Sequence, residues 1–549
     1  MLYPMKSTRI FLQRPTVLGV VTALMFLCGS LVPGLLPLSW VVQGLVSGMW
    51  MAIGYGVGTG VSALAGTLVR RRPSSSVQRG AWITLVVVGE SLTGWSLFAH
   101  YQWQVDVRRL MGMRTAILHY PVAIPCMALL VAVLLVLSAR VVRATYRQYI
   151  NLVSRYLPRA GAHVVGVLTT VFLVVVFADK VVGEQIFPAL NNRYIAADAG
   201  DDKTIQPPMS PYKAGGAASR IAWETLGQYG RAFITDGPEV AELTTFSGMA
   251  AMEPIRIYVG RQSAPSAAQR AALAVAELER TGAFRRQLLV IVIPTGTGWV
   301  DPYAVAPLEY MYNGNTAAVA MQYSYLPSWI VMLGNQDVAK EAAHALIAAV
   351  EDRLEREPAA TRPRLVVYGQ SLGAFGAEAA FTGLDDITRR TDGVLWVGPF
   401  SDSRLWRQFT TQRSPGSPIW QPVYQDGATV RFGVDRQSLL APTSPWHRPH
   451  VVYLQHASDP ITWWSPAMLV QRPAWLEEPR GPDVSEHLRY YPIATCLRVA
   501  IDVMVGLGVP PGHGHRYGVS QAEAWTLIIP PDDWAEQDTQ RLITVMKER

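Results

Sequence analysis

Residues 364–381 read RLVVYGQSLGAFGAEAAF: an aliphatic, β-branched run, then Gly369-Gln370-Ser371-Leu372-Gly373, then small residues suited to a helix. A buried strand that turns sharply into a helix through G-x-S-x-G carries its serine on a tight elbow, where glycines avoid clashes that side chains would cause. Ser371 is therefore the candidate nucleophile. The five-residue pattern alone is common, and its weight comes from the strand before it and the helix after it. The plainer alternative is an ordinary strand-to-helix turn with Ser371 as a helix cap.

On both sides of this elbow, short apolar runs alternate with amphipathic stretches. IRIYVG (255–260), QLLVIVIP (287–294), TAAVAMQYS (316–324), GVLWVG (393–398) and HVVYLQH (450–456) read as further strands, with helices over 267–282 and 337–356. This alternation implies a mostly parallel sheet with helices on both faces, whose chemistry gathers at the carboxyl ends of the strands.

A serine hydroxyl becomes a nucleophile when a histidine takes its proton and a carboxylate orients that histidine. On such sheets the acid and the histidine follow the serine in that order. Asp459, in Ala457-Ser458-Asp459-Pro460 just after HVVYLQH, is the candidate acid. Asp402 and Asp392 are its rivals, and an Asp-Pro turn is the alternative reading. VPPGHGHRYG (509–518) then offers His515 as the base, with His513 as the alternative; His456 reads as a packing residue. Two backbone N–H groups must hold the oxyanion. Leu372, after the nucleophile, supplies one, and Thr297 in the loop PTGTGW (294–299) is the favoured second donor. That loop is too short for a phosphate-binding P-loop and lacks its lysine. The chemistry requires no metal and no organic cofactor.

The amino-terminal third is different. Of 549 residues only 16% are charged and 50% are hydrophobic, against about a quarter charged in a soluble domain. The 17 Trp, 22 Tyr and 14 Phe exclude a disordered chain. Three cysteines, Cys28, Cys126 and Cys496, the first two in apolar runs, exclude a disulfide scaffold. Residues 15–69 hold no charged residue at all and are divided by the break PGLLPLSW, and spans are expected over 16–36, 40–65, 81–99, 121–137 and 162–177. Glycines in the second span leave room for close helix contacts. Glu90, in the third, reads as a contact inside the bundle, a bond to a neighbouring helix or an interfacial residue.

Residues 1–183 carry 16 Lys and Arg against three acids, net +13, while the remainder carries 32 against 38, net −6. A basic, apolar front before a mildly acidic back argues for a membrane domain followed by a soluble one, and against nucleic-acid binding. With the amino terminus inside, Lys6, Arg9, Arg14, Arg70, Arg71, Arg72, Arg79, Arg140, Arg143, Arg147, Arg155 and Arg159 fall on the inside, against Arg108, Arg109 and Arg114 outside. Five spans then place everything after about residue 182 on the extracytoplasmic side of a cell membrane. The expected domains are 1–183, a transmembrane bundle of about five helices; 184–216, a linker containing DDKTIQPPMSPYKAGG; and 217–549, a catalytic domain.

GQSLGAFG, PTGTGW, QYSYLPSW (322–329), LWVGPF (395–400), the Asp-Pro after HVVYLQHAS, and PPGHGHRYG together resemble a bacterial, largely actinobacterial, family of membrane-anchored α/β-hydrolases. Such proteins join an amino-terminal multi-span domain to a hydrolase domain, and the resemblance covers essentially the entire chain. It implies an α/β-hydrolase fold after the transmembrane bundle, with Ser371, Asp459 and one of His513 or His515 as the triad. The expected activity is cleavage of an ester or thioester through an acyl-enzyme. Residues 401–449 sit where such folds commonly insert a cap. Trp406, Trp420, Trp446, Trp463, Trp464 and Trp475 read either as an apolar acyl pocket near the bilayer or as core. The first reading favours a lipid or cell-envelope acyl substrate, with membrane lipids as surroundings. Acyl transfer on the same triad, a catalytically silent membrane receptor or scaffold, and a five-span transporter with an accessory domain are the alternatives.

Overall fold

The computed structural model describes residues 15–68, 74–115, 117–177, 179, 180, 185, 187–200 and 205–549. The chain forms two compact units, Met1–Pro188 with Ser485–Arg498, and Ala189–Val484 with Val499–Arg549.

The first unit contains α1 (Val17–Ser30), α2 (Trp40–Leu68), α3 (Ser75–Leu110), α4 (Tyr120–Val153) and α5 (Arg159–Val176), one helix for each expected span. Four of them, α2 to α5, are long and apolar enough to cross a membrane. The first differs from expectation. With 14 residues, α1 rises only about 21 Å, short of a hydrocarbon core of about 30 Å. The glycines of α2 do allow close approach: a Cβ at Gly58 would lie 2.4 Å from the Leu18 carbonyl oxygen, and one at Gly48 2.7 Å from that of Ala128. Between α1 and α2 buried polar groups pair, with Ser30 Oγ bonded to Ser47 Oγ at 2.7 Å and Gln43 Nε2 to the Ser30 carbonyl at 3.0 Å. Glu90 is exposed on α3. Lys6, Arg9, Arg14, Arg70, Arg71 and Arg72, half of the inside set, lie outside the described residues, as does the expected boundary at 181–184.

The second unit is built on a parallel sheet of seven strands: β1 (Ile255–Val259), β2 (Leu288–Ile293), β3 (Thr316–Met321), β4 (Arg364–Gln370), β5 (Gly393–Val397), β6 (Val430–Gly433) and β7 (His450–Leu454), in the order β1-β3-β2-β4-β5-β7-β6. Six match the expected runs. The seventh, β6, lies within 401–449, so part of that stretch extends the sheet. Every residue of β2 is buried, and each such aliphatic side chain stabilises the fold by about 1.5–3 kcal/mol.

The helices include α6 (Phe187–Asp198), α7 (Gly227–Thr235), α8 (Ala267–Thr281), α9 (Ala306–Met311), α10 (Asp337–Leu354), α11 (Leu372–Ala379), α12 (Arg404–Thr411), α13 (Ser520–Ile528) and α14 (Glu536–Glu548). α8, α10 and α11 pack together as one layer, and α9, α13 and α14 as another. A capping box of Ser266 and Gln269 starts α8 and Gly282 ends it. The stretch expected as a linker is partly built into this unit. It contains α6, and the Ala214 amide bonds the Arg256 carbonyl at 3.0 Å along the edge of β1; residues 184, 186 and 201–204 of it lie outside the described residues.

Candidate active site

Parallel register brings four strand ends together. Ile293 pairs with Gly369, Gln370 with Val397, and Val397 with Leu454, so the segments that follow β2, β4, β5 and β7 share one edge. Those segments begin with Pro294, Ser371, Gly398 and Gln455.

Ser371 joins β4 to α11 with φ 58° and ψ −124°, a conformation that costs a non-glycine residue about 1–3 kcal/mol. Its amide donates to the Val397 carbonyl at 2.8 Å, so the ladder continues one residue beyond the strand and holds the strained backbone. On the helix side, a Cβ at Gly373 would lie 2.1 Å from the Ile293 carbonyl oxygen and 2.4 Å from that of Pro294. Only hydrogen fits there, which is the steric reason for the second glycine of the pattern. Ser371 occupies the N-cap position of α11 but makes no side-chain bond to its amides, so the capping bond of the plainer reading is not formed.

Asp459 and His515 meet, with His515 Nδ1 2.7 Å from Asp459 Oδ2. Asp459 is fully buried and His515 is 5% exposed. The Tyr517 hydroxyl also donates to Asp459 Oδ2 at 2.7 Å, and the Ile461 amide to Oδ1 at 2.9 Å. A carboxylate at Nδ1 keeps the ring proton on that nitrogen and leaves Nε2 as the basic one. Nε2 is buried and has no hydrogen-bond partner among the described residues; the bond from Ser371 Oγ is not formed. Beside the ring is Gly398, with φ 55°. A Cβ there would come 2.5 Å from His515 Cε1 and 3.0 Å from Asp459 Oδ2. Since Gly398 follows Val397, whose carbonyl holds the Ser371 amide, the serine and the His–Asp pair both border the end of β5.

The other candidates lie elsewhere. His513 Nδ1 faces Asp483 Oδ2 at 3.5 Å. Burial opposes the charge on Asp483, but bonds from His513 and Ser458 and the proximity of His456 outweigh it and hold this carboxyl below its usual range. This group anchors the histidine loop: the Gly514 amide donates to Ser458 Oγ at 2.8 Å, and His456 Nδ1 donates to the Gly514 carbonyl at 2.8 Å. His456 stacks on Tyr517 at 4.2 Å, a packing role as expected. Asp392 accepts the Leu365 amide at 2.7 Å near the start of β4, and Asp402 lies 4.0 Å from Arg407.

The 294–299 loop is a tight turn. The Thr295 amide bonds the Trp299 carbonyl at 3.1 Å, the Gly298 amide bonds the Thr295 carbonyl at 2.9 Å, and the Gly296 amide bonds Ser328 Oγ at 2.9 Å. Among the described residues, the Thr297 amide has no such partner, and neither does Leu372 in the first turn of α11. The Thr297 carbonyl is held by Gln322 Nε2 at 3.0 Å, and Gln322 also bonds Asp198 Oδ2 at 3.2 Å. Burial pushes the Asp198 carboxyl up, partly offset by the Gln322 bond and by helix amides.

Three of the tryptophans form core. Trp406, Trp463 and Trp475 pack in series, with ring centroids 6.0 and 6.4 Å apart, and Trp463 Nε1 donates to the His456 carbonyl at 3.0 Å. Trp446 stacks on His450, at the start of β7 and so at the far end of the sheet from Ser371. Sequence reasoning missed Tyr517, Gly398, Gln322 and Asp198. The tyrosine of GHGHRYG and the glycine of LWVGPF were visible as motif residues; Asp198 lay in a stretch read as linker.

A model of an alpha/beta-hydrolase family matches residues 255–542, and a model of that family's N-terminus matches 31–238. No match was found among curated proteins or solved structures. The sheet, the elbow and these two matches agree: the chain belongs to the α/β-hydrolase family.

Proposed function

We propose that this chain is a membrane-anchored serine hydrolase that cleaves an ester or thioester of a lipid or cell-envelope acyl substrate. The observation that carries the reading is the 2.7 Å His515–Asp459 bond, which leaves an unpartnered, buried Nε2 at the strand end that also holds Ser371. Ser371 Oγ attacks the acyl carbon while His515 Nε2 takes its proton. Asp459, itself held by Tyr517, orients the ring and stabilises the imidazolium. The Leu372 and Thr297 amides receive the oxyanion. Its collapse breaks the bond to the alkoxide or thiolate, which leaves with the proton from His515. Water, deprotonated by His515, then releases the acid and restores Ser371. The apolar helices support a membrane location, and the arginine distribution supports an extracytoplasmic catalytic domain.

The test is hydrolysis of p-nitrophenyl butyrate by the purified full chain. Ser371→Ala and His515→Ala should each lose at least about a thousandfold in kcat. His513→Ala should keep most of the activity. Loss in His513→Ala with retention in His515→Ala would reject the base assignment.

A further inference from the structure

Two cavities of the amino-terminal unit adjoin. One, of about 570 Å³, lies between α1 and α3 and is walled by Val21, Leu24, Leu85, Val88 and Leu92. The other, of about 400 Å³, is lined by His100, Trp103, His487, Arg489 and Tyr491. Cys28 and Ser96 line both, so the apolar space borders the one that carries the polar side chains.

The transition is graded along one helix. Gly89, Thr93, Ser96 and His100 follow at helical spacings of four, three and four residues, which sets them on one face of α3. Thr93 Oγ1 is buried without a hydrogen-bond partner among the described residues and borders the apolar cavity. His100 is fixed by the Leu31 carbonyl, 3.0 Å from Nδ1. At the polar end, His487 and Arg489 are exposed. The acid on the adjoining turn of α3, Asp106, is engaged by Ser485 Oγ at 2.6 Å, and no acid pairs with Arg489 among the described residues. Trp95, Trp103 and Tyr491 surround this end, the side chains that favour a membrane interface.

We propose that the adjoining cavities together bind one membrane lipid, with an acyl chain against α1 and α3 and an anionic phosphate headgroup at Arg489 and His487. An apolar wall matches the chain, and a guanidinium fork matches phosphate oxygens. The inference rests on these helices crossing a bilayer and makes no use of the catalytic assignment.

The experiment uses the full chain carrying Ser371→Ala, so that no bound ester is cleaved. Delipidated protein in detergent is incubated with dioleoyl phosphatidylglycerol, dioleoyl phosphatidylcholine or inorganic phosphate, and retained ligand is counted by native mass spectrometry. Phosphatidylglycerol should be retained, the zwitterionic lipid about tenfold less, and phosphate alone not at all. Arg489→Gln should lower phosphatidylglycerol retention about tenfold. Val88→Trp, which fills the apolar cavity, should lower retention of both lipids. Equal retention of the two lipids, retention of phosphate alone, or retention unchanged in both variants overturns the proposal. Failure of the serine chemistry would leave every one of these readings as it is, so the two ideas fail separately.

Discussion

A methyl group at position 398 would press on the His515 ring and the Asp459 carboxylate together, on a backbone with φ 55°. Gly398→Ala should therefore cut ester hydrolysis by about a hundredfold, since a shift near 1 Å in a catalytic group costs about that much. Full activity would mean that the ring beside Gly398 takes no part in the reaction. Tyr517→Phe removes one charge-assisted bond to Asp459, and should lower kcat about tenfold with KM little changed. A change in KM alone would contradict the positioning role. Ser371, Asp459 and His515 were readable because an elbow, an Asp after a strand and a histidine in a glycine-rich loop are local patterns in a known chain order. Gln322 opens the QYSYLPSW motif, but that motif assigns it no role. Its bond to Asp198 spans 124 residues, and nothing near either residue announces the other.

At the level of elements, alternation of apolar runs with helices was enough to place six strands, because parallel strands buried on both faces read as unbroken apolar segments. β6 escaped since it has four residues, one of them Arg431, whose charge is hidden by bonds to the Gly427, Leu439 and Ser444 carbonyls. Arg256 shows the same concealment on β1. It forms a two-pronged bond to Glu309 of α9, both at 2.7 Å, with both side chains buried. Glu309→Ala leaves that guanidinium unpaired and should destabilise the second unit by about 3–5 kcal/mol, visible as an earlier unfolding transition; an unchanged transition would count against it. Glu378, on the helix that follows Ser371, accepts the Tyr453 hydroxyl at 2.8 Å and the amides that begin α12. Burial pushes its carboxyl from the ordinary 4.5 up to about 7. Folding thus favours the protonated form. The contribution to stability is complete below about pH 4.5 and is lost as pH rises through about 7. The melting temperature should fall between pH 5 and 8 relative to Glu378→Gln, and parallel pH profiles would refute this.

Across the whole molecule, the swing from net +13 to net −6 already separated a membrane-like front from a globular back. It could not reveal that SEHLRYYPIATCLR, Ser485–Arg498, belongs with the front. That segment is held to the helices by the Ser485–Asp106 bond and by Arg498, which donates to the Leu36 carbonyl at 2.8 Å and lies over Trp103. No composition shift marks it, because its contacts depend on tertiary placement. Sidedness turns on α1, whose 14 residues make it the shortest of the five apolar helices. If all five cross, protease added to spheroplasts should digest the catalytic domain; a protected domain would mean an even number of crossings. The catalytic proposal itself is tested most directly by treating the folded, full-length protein with a fluorophosphonate and mapping the adduct by peptide mass spectrometry. A single adduct on Ser371, absent from Ser371→Ala, is the expected result; equal labelling of both proteins, or an adduct on another residue, would contradict it.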